Sequence, residues 1–276
     1  MTSRLPPFAR FPHLPLRLAA IPLALVLFTA SSPQVSSACG GAPLRQASSS
    51  PVLVELFTSQ SCSSCPPADR LLGRLSSTGS SIIALAFHVD YWDYLGWKDP
   101  FSSEAWSARQ RPYAEKLGSD SVYTPQIVVN GRRHGIGSDP SEVADLIAEA
   151  TADRTEMKIS LEIVTSTPDL LTVRLEAGPS HLLHGRRWLA QLAVLENQLE
   201  TPVTGGENAR RTLRNDRVVR RLVSAFLETS SRSPATVELT LPVDRTWRRN
   251  QLQLAAFLQD PETLWIHAAT AIASPL

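Results

Sequence analysis

The sequence predicts an α/β domain followed by an all-β, immunoglobulin-like sandwich domain, and three observations support this prediction. First, Cys62 and Cys65 form a Cys-x-x-Cys pair directly after a short apolar run. Second, Thr124 and Pro125 stand directly before another apolar run. Third, the pattern changes near Thr155 from alternating strands and helices to short strands separated by turn residues. The first two observations are typical of a thioredoxin-like redox site, in which a strand delivers two cysteines to the start of a helix.

The α/β domain is predicted over residues 51–153. Its continuous apolar strands alternate with helices, which favours a parallel sheet covered on both faces. The predicted elements are strand Val52–Phe57, helix Ala68–Leu75, strand Ile82–Val89, a helix from Ser102 to about Leu117, a hairpin of Gln126–Val129 with Arg132–Ile136, and a helix from Val143 to about Ala152. This order, β-α-β-α-β-β-α, is the order of the thioredoxin fold.

The β-sandwich is predicted over residues 155–276, because short apolar or alternating segments recur there with turn residues between them. The predicted strands are Lys158–Val164, Leu170–Ala177, Arg187–Leu195, Thr236–Leu241, Gln251–Leu258 and Leu264–Ala271. Between them, Glu207 and Asn208 precede an arginine-rich segment that ends at Arg221. The segment is interpreted as an anion-binding site, as a solvated face, or as a set of salt bridges between domains. The residues concerned are Glu207, Asn208, Arg210, Arg211 and Arg214.

Residues 1–38 are predicted to be an export signal. A basic stretch without acidic residues precedes the apolar segment Leu18–Ala30, and small residues then lead to Cys39. Residues 39–50 are predicted to be a flexible leader because they are rich in Gly, Ser, Pro and Ala. We therefore expect the protein to be exported, to the periplasm or the extracellular space. An uncleaved signal or a lipidated Cys39 are the two predicted routes to membrane association.

The charge balance bears on the class of partner. The chain carries a formal net charge of +1, and without residues 1–38 it has 24 basic against 26 acidic groups. Since no basic patch remains, we expect no nucleic-acid partner. The expected partner is an exported protein or a small thiol or disulfide, and neither a cofactor nor a metal is predicted.

Cys62, Cys65 and Pro125 are the predicted catalytic residues. The start of a helix favours a thiolate, so Cys62 is expected to be the exposed nucleophile and Cys65 the resolving thiol. A cis Thr124–Pro125 bond is predicted to face the cysteine pair, because only proline tolerates a cis bond at low cost. The alternative is a trans proline that begins an edge strand.

Two other interpretations of the cysteine pair stay open. One is a disulfide that only stabilises the fold. The other is a copper site in which two thiolates are joined by His88 or His134. A zinc site with four thiolates is excluded because the chain has no second close cysteine pair.

The segment Asp90–Phe101 is rich in aromatic residues and follows the strand next to the one that delivers Cys62. Parallel strands place their carboxyl ends at the same edge of a sheet, so this segment is expected to border the cysteines. Tyr91, Trp92 and Thr124 are therefore the predicted substrate-binding residues, and Asp90 and Asp93 belong to the same expected surface. The alternative is that these side chains bury a loop over the core.

Several long motifs resemble those of the DUF1223 family of exported thioredoxin-like proteins without an assigned activity. The matching segments are Val54–Asp69, His88–Phe101, Arg109-Gln110 with Tyr113, Val122–Gln126, Val128–Gly131, Gly206–Asn208, Thr212-Leu213 and Val218–Arg220. The chain departs from the family at Ser61, where the family usually has glycine. The resemblance covers nearly all of the chain after the predicted signal and implies the thioredoxin-like fold, but it brings no substrate.

Overall fold

The computed structural model of the chain describes residues 50–77, 81–178, 186–228 and 234–274. We call residues 50–153 the N-terminal part and residues 154–274 the C-terminal part. The described N-terminal elements are β1 (Val52–Thr58), α1 (Pro66–Ser77), β2 (Ile82–His88), α2 (Glu104–Leu117), β3 (Gln126–Val129), β4 (Arg133–Ile136) and α3 (Pro140–Ala152). The described C-terminal elements are β5 (Ile159–Ser166), β6 (Leu170–Ala177), β7 (Arg187–Glu196), β8 (Leu199–Pro202), β9 (Thr212–Asn215), β10 (Val218–Glu228), β11 (Ala235–Pro242), β12 (Leu252–Gln259) and β13 (Ile266–Ala273).

One mixed sheet of eight strands runs through both parts in the order β13-β12-β7-β10-β2-β1-β3-β4. Strands β1 and β2 are parallel, whereas β3 is antiparallel to β1 and β4 is antiparallel to β3. The two parts meet where β10 lies parallel to β2, with Val218 opposite Ala86. There the Ala86 N–H donates a hydrogen bond to the carbonyl oxygen of Arg217 at 2.8 Å.

The predicted fold class, a thioredoxin-like α/β domain followed by a separate sandwich domain, is wrong. The described chain is mostly β, with three α-helices and a large mixed sheet that contains strands from both sides of the predicted boundary. The order of elements as far as α3 agrees with the prediction, but the C-terminal strands extend the same sheet. The physical reason is β10, whose pairing with β2 links residues far apart in the sequence and leaves no local signal.

The two faces of the eight-stranded sheet are covered differently. Side chains alternate along a strand, so Leu53 and Phe57 of β1 face α2 in a core that also includes Phe257 of β12. Val54 and Leu56 point to the other face, where α1 and α3 pack. Farther along that second face, the three-stranded sheet β11-β6-β5 covers β7 and β12. Glu55 lies two residues from both Leu53 and Phe57 along β1, so its side chain is also on the α2 side of the sheet.

The predicted export signal and residues 39–49 of the predicted leader lie outside the described residues. Ser50, the last residue of that leader, is buried, and the Ala269 N–H donates to its hydroxyl oxygen at 2.8 Å. The chain is therefore already attached to β13 at Ser50. Across the described ranges, none of the helices has both the length and the apolar character needed to span a membrane.

Candidate functional site

Cys62 and Cys65 lie in the turn between β1 and α1 and are paired as a disulfide. The turn is held by its own backbone, because the Cys65 N–H donates to the Cys62 carbonyl oxygen at 3.2 Å. The Cys65 carbonyl oxygen in turn accepts from Asp69 N–H at 3.1 Å, which begins the helix. Cys62 is the more exposed of the two cysteines, yet only 4% of its surface is accessible and Cys65 has none. Both sulfurs are therefore buried at the edge of the fold.

The Cys62 sulfur has two close polar neighbours. The Ser64 hydroxyl lies 3.2 Å from the Sγ atom and can donate a hydrogen bond to it. On the other side, the Thr124 carbonyl oxygen lies 3.8 Å from Sγ. The Thr124–Pro125 bond is cis, which confirms that prediction. The structure thus brings Cys62, Cys65, Thr124 and Pro125 together, as the sequence suggested.

The aromatic loop, which we define as residues 91–97, borders this pair. The Trp92 indole N–H donates to the Thr124 hydroxyl at 2.7 Å. The Trp97 carbonyl oxygen accepts from the Ser61 hydroxyl at 2.6 Å, one residue before Cys62. Tyr94 stacks on Trp92 with ring centroids 6.4 Å apart and is 76% exposed. Three successive contacts, through Trp92 and Thr124, therefore link an exposed aromatic ring to the Cys62 sulfur.

The other polar side chains of this segment hold the loop itself together. The Asp93 carboxylate accepts from the Ser102 hydroxyl at 2.7 Å and from the Asp99 N–H at 3.2 Å. The Asp90 carboxylate accepts from the Ser107 hydroxyl, and the Tyr91 hydroxyl donates to Gln110 at 3.0 Å. Since these groups are bonded to the residues before α2 and to α2 itself, packing accounts for Asp90 and Asp93 better than a substrate surface does.

Three buried titratable side chains, which we call the acid–histidine cluster, lie beside the cysteine turn: Asp69, His88 and Asp99. The Asp99 Oδ2 atom lies 2.7 Å from His88 Nδ1 and accepts from the Gln60 N–H at 2.7 Å. Asp99 therefore ties the cysteine turn to the end of β2. The Asp69 Oδ1 and His88 Nε2 atoms are buried and have no hydrogen-bond partner among the residues that the structure describes.

Burial shifts the proton affinities of this cluster. It raises the pKa of Asp69 from 3.8 to about 6, although the charge of His88 opposes the rise. Burial alone would lower the pKa of His88, but the Asp99 carboxylate outweighs it and the pKa is raised. For Asp99, burial is outweighed by His88, so the pKa of that carboxyl is lowered. An ionised Asp99 beside a protonated His88 is thus the favoured state, and Asp69 titrates near neutrality.

A loop of the C-terminal part that contains Glu207 and Asn208 also contacts the cysteine turn. The sequence analysis did not predict this contact. Glu207 Oε2 accepts a hydrogen bond from the Ser63 N–H at 2.8 Å. The buried Asn208 side chain donates to the carbonyl oxygens of Gln60 at 2.9 Å and Cys62 at 3.0 Å. The sequence interpretations as an anion site or a solvated face therefore do not describe the buried Asn208, whereas Glu207 is exposed and bonds to the cysteine turn. Their position in a motif shared with the family was the available signal.

The copper interpretation gains no geometric support. Nδ1 of His88 is bonded to Asp99, and Nδ1 of His134 lies 2.9 Å from the Tyr123 hydroxyl. Within the described ranges, no group of three or more His, Cys, Asp or Glu side chains is arranged to hold a metal ion.

Comparisons with known proteins agree with the family resemblance. The model of DUF1223, a protein family of unknown function, matches residues 53–259, so the chain belongs to this family. Protein AGR_C_4864 from Agrobacterium tumefaciens is similar in structure, with 25% sequence identity and a TM-score of 0.65, over 82% of this chain and 96% of that chain. No match was found among curated proteins.

Two further solved structures come from Porphyromonas gingivalis. HBP35 has 15% identity and a TM-score of 0.65 over 83% of this chain and 77% of that chain, which shows a likeness of fold alone. A domain of the outer membrane lipoprotein Omp28 has 10% identity and a TM-score of 0.24 over 43% of this chain and 87% of that domain. The second score is too low to support any argument.

Proposed function

We propose that this DUF1223 protein is an exported thiol–disulfide oxidoreductase that exchanges disulfides through Cys62 and Cys65. The observation that carries the proposal is the environment of the Cys62 sulfur. It lies 3.2 Å from the Ser64 hydroxyl and 3.8 Å from the Thr124 carbonyl oxygen, just before a helix begins. A hydroxyl donor and the positive end of a helix both stabilise a thiolate, which is the form that attacks disulfides. Export rests on the basic and then apolar character of residues 1–38.

The proposed exchange begins with the reduced pair. The Cys62 thiolate attacks one sulfur of a partner disulfide, so that a new bond joins Cys62 to the partner and the second partner sulfur leaves as a thiolate. The Cys65 thiol then loses its proton and attacks Cys62, which releases the first partner sulfur as a thiolate. The partner gains two electrons, its two thiolates take up one proton from Cys65 and one from solvent, and the Cys62–Cys65 disulfide is formed.

The proposed partner is a polypeptide that carries a disulfide. Its extended backbone would approach the Thr124 carbonyl, and its side chains would contact the exposed ring of Tyr94. Aromatic rings suit such contacts because they supply a large area with few rotatable bonds. Ser63 and Ser64 are exposed, so the partner would reach Cys62 from the side of these two serines.

Trapping of a mixed disulfide tests the proposal. In the Cys65→Ser variant, Cys62 has no resolving partner, so incubation with oxidised glutathione should give a stable glutathione adduct on Cys62, measured by mass spectrometry. The matched control is Cys62→Ser, in which the fully buried Cys65 should react much more slowly. Equal reaction of the two variants, or no adduct on either, would contradict the proposal and favour a disulfide that only stabilises the fold.

A further inference from the structure

The Glu207 carboxylate accepts a hydrogen bond from the backbone N–H of Ser63, the residue directly after the candidate nucleophile Cys62. Glu207 Oε2 accepts the Ser63 N–H at 2.8 Å, and Ser63 is joined to Cys62 through that same peptide nitrogen. Free backbone amides near a helix start normally stabilise a cysteine thiolate. Here one such donor is already used by a negatively charged group from the C-terminal part. The local field at Cys62 is therefore set by more than its own helix.

The position of Glu207 is fixed by its neighbours. Asn208 is buried and donates to the Gln60 and Cys62 carbonyl oxygens, while its own Oδ1 accepts from Arg211 at 2.9 Å. Just before Glu207, Gly205 packs so closely on the aromatic loop that a Cβ atom there would collide with the Gly96 carbonyl oxygen. The backbone on both sides of Glu207 is thus held against the cysteine turn and the loop that borders it.

Glu207 is ionised at neutral pH. Hydrogen bonds from the Ser63 backbone and side chain lower the pKa of its carboxyl below the usual value. Other charged groups near the cysteine turn include the acid–histidine cluster, Arg70, whose charge acts on Asp69, and Arg211. His88 and Asp99 offset each other, whereas Asp69 adds a second negative charge once it loses its proton.

We propose that Glu207 tunes the Cys62–Cys65 pair by disfavouring the Cys62 thiolate and thereby favouring the disulfide. The direction follows from electrostatics, because a nearby like charge raises the pKa of a group that becomes negative. A pair whose disulfide is favoured over its thiolate form gives up electrons more readily. This inference rests on the function proposed above. It means that Glu207 biases the protein toward reducing partner disulfides, after which an external dithiol would restore the reduced pair.

The thiol pKa of Cys62 tests this proposal without any disulfide exchange. We would measure the rate of alkylation by iodoacetamide as a function of pH in the Cys65→Ser background. Glu207→Gln should lower the pKa of Cys62, so that the thiolate fraction below that pKa rises roughly three- to tenfold. Glu262→Gln, the matched control, removes an equal charge at an exposed position in the turn before β13 and should change nothing. An unchanged or higher pKa in Glu207→Gln would overturn the proposal.

The effect of Glu207 on the dithiol–disulfide equilibrium of Cys62 and Cys65 is then measured in glutathione buffers. Above the pKa of Cys62, Glu207→Gln should shift the equilibrium toward the dithiol by roughly three- to tenfold, which corresponds to about 15 to 30 mV. The shift should shrink at lower pH, where the dithiol is protonated, and with added salt, which screens exposed charges. If the wild-type pair cannot be reduced reversibly, the proposed function is refuted. The role of Glu207 is still decided by the alkylation experiment, because that experiment needs no disulfide exchange.

Discussion

Two buried polar networks of this molecule differ in how completely their atoms are paired. The first, which we call the central network, lies between α2 and the eight-stranded sheet and consists of Glu55, Arg109, Tyr113, Gln191 and Gln259. Arg109 Nε donates to Glu55 Oε1 at 2.7 Å, and the Tyr113 hydroxyl donates to Glu55 Oε2 at 2.6 Å. Gln191 Oε1 accepts from Arg109 at 3.0 Å, and Gln259 Nε2 donates to the Tyr113 hydroxyl at 2.8 Å.

The central network favours one charge state. Burial alone would lower the pKa of Arg109, but the Glu55 carboxylate outweighs it and the pKa is raised. Burial and the same carboxylate hold the pKa of Tyr113 well above its ordinary value. Strands β1, β7 and β12 are thus joined to α2 through Arg109 and Tyr113, which keep their protons over the physiological range and so suit a structural role.

The acid–histidine cluster is the opposite case. Asp69 Oδ1 and His88 Nε2 are buried without a partner among the described side chains, and Asp69 titrates near neutrality. Buried groups that are incompletely paired and that change charge near pH 7 cluster at functional sites. Completely paired groups thus hold the two parts of the molecule together, whereas incompletely paired groups lie next to the cysteine pair. Two substitutions test this contrast, and a third tests a contact outside both networks.

The largest expected effect comes from breaking the central network. Arg109→Met leaves the buried Glu55 carboxylate without its cation, so the free energy of unfolding should fall by about 3 to 5 kcal/mol. Urea denaturation measures it. The control is Arg174→Met, which removes an exposed cation that pairs with Glu162 and Glu238 and should cost far less. Similar losses in the two variants would mean that the central network has no special structural weight.

An intermediate effect is expected at Asp69, and it depends on pH. The folded pKa of about 6 lies above the unfolded value of 3.8. Wild type therefore carries no penalty below pH 3.8, loses stability as the pH rises from there to about 6, and carries the full penalty above it. Asp69→Asn has no such charge, so its stability relative to wild type should rise over this window by about 3 kcal/mol.

The readout for Asp69 is the change with pH, because any fixed cost of the asparagine side chain cancels. Denaturation at a series of pH values from acid to neutral gives it. Asp145→Asn, at an exposed position on α3, is the matched control and should show a difference from wild type that does not vary with pH. If Asp69→Asn behaves in the same way, Asp69 ionises normally and the contrast between the two networks is lost.

The smallest effect is expected outside both networks, where the aromatic loop meets Thr124. Trp92→Phe keeps an aromatic ring but removes the N–H that donates to the Thr124 hydroxyl at 2.7 Å. The loss should be about 1 kcal/mol, the usual net value of one hydrogen bond. Tyr94→Phe is the control, since its exposed ring should leave stability unchanged within about 0.5 kcal/mol. If Trp92→Phe lowers the free energy of unfolding by several kcal/mol, the aromatic loop is part of the structural core.

The sequence was informative where the structure is local. The Cys-x-x-Cys pair at the start of a helix and the cis Thr124–Pro125 bond both depend on neighbouring residues, and both were predicted. All six predicted C-terminal strands are also present, because apolar alternation marks them. The aromatic loop could be placed beside the cysteines because the carboxyl ends of the adjacent parallel strands β1 and β2 lie at the same edge of the sheet.

The sequence was not informative where the structure depends on distant residues. Strand β10 was hidden because Arg220 and Arg221 interrupt its apolar pattern, and a bulge there shifts the register opposite β7. Its parallel contact with β2, which makes one sheet of the two parts, has no local signature. The same holds for Asn208, whose partners Gln60 and Cys62 lie more than 140 residues away in the chain.

A redox titration of the intact protein tests the central claim most directly, which is that Cys62 and Cys65 form an exchangeable pair. The fraction of disulfide would be measured by alkylation and mass spectrometry in dithiol buffers of defined potential. We predict a reversible two-electron transition with a midpoint between about −300 and −120 mV, the span of disulfide exchange proteins. A disulfide that stays intact below about −300 mV would contradict the account, because structural disulfides behave in that way.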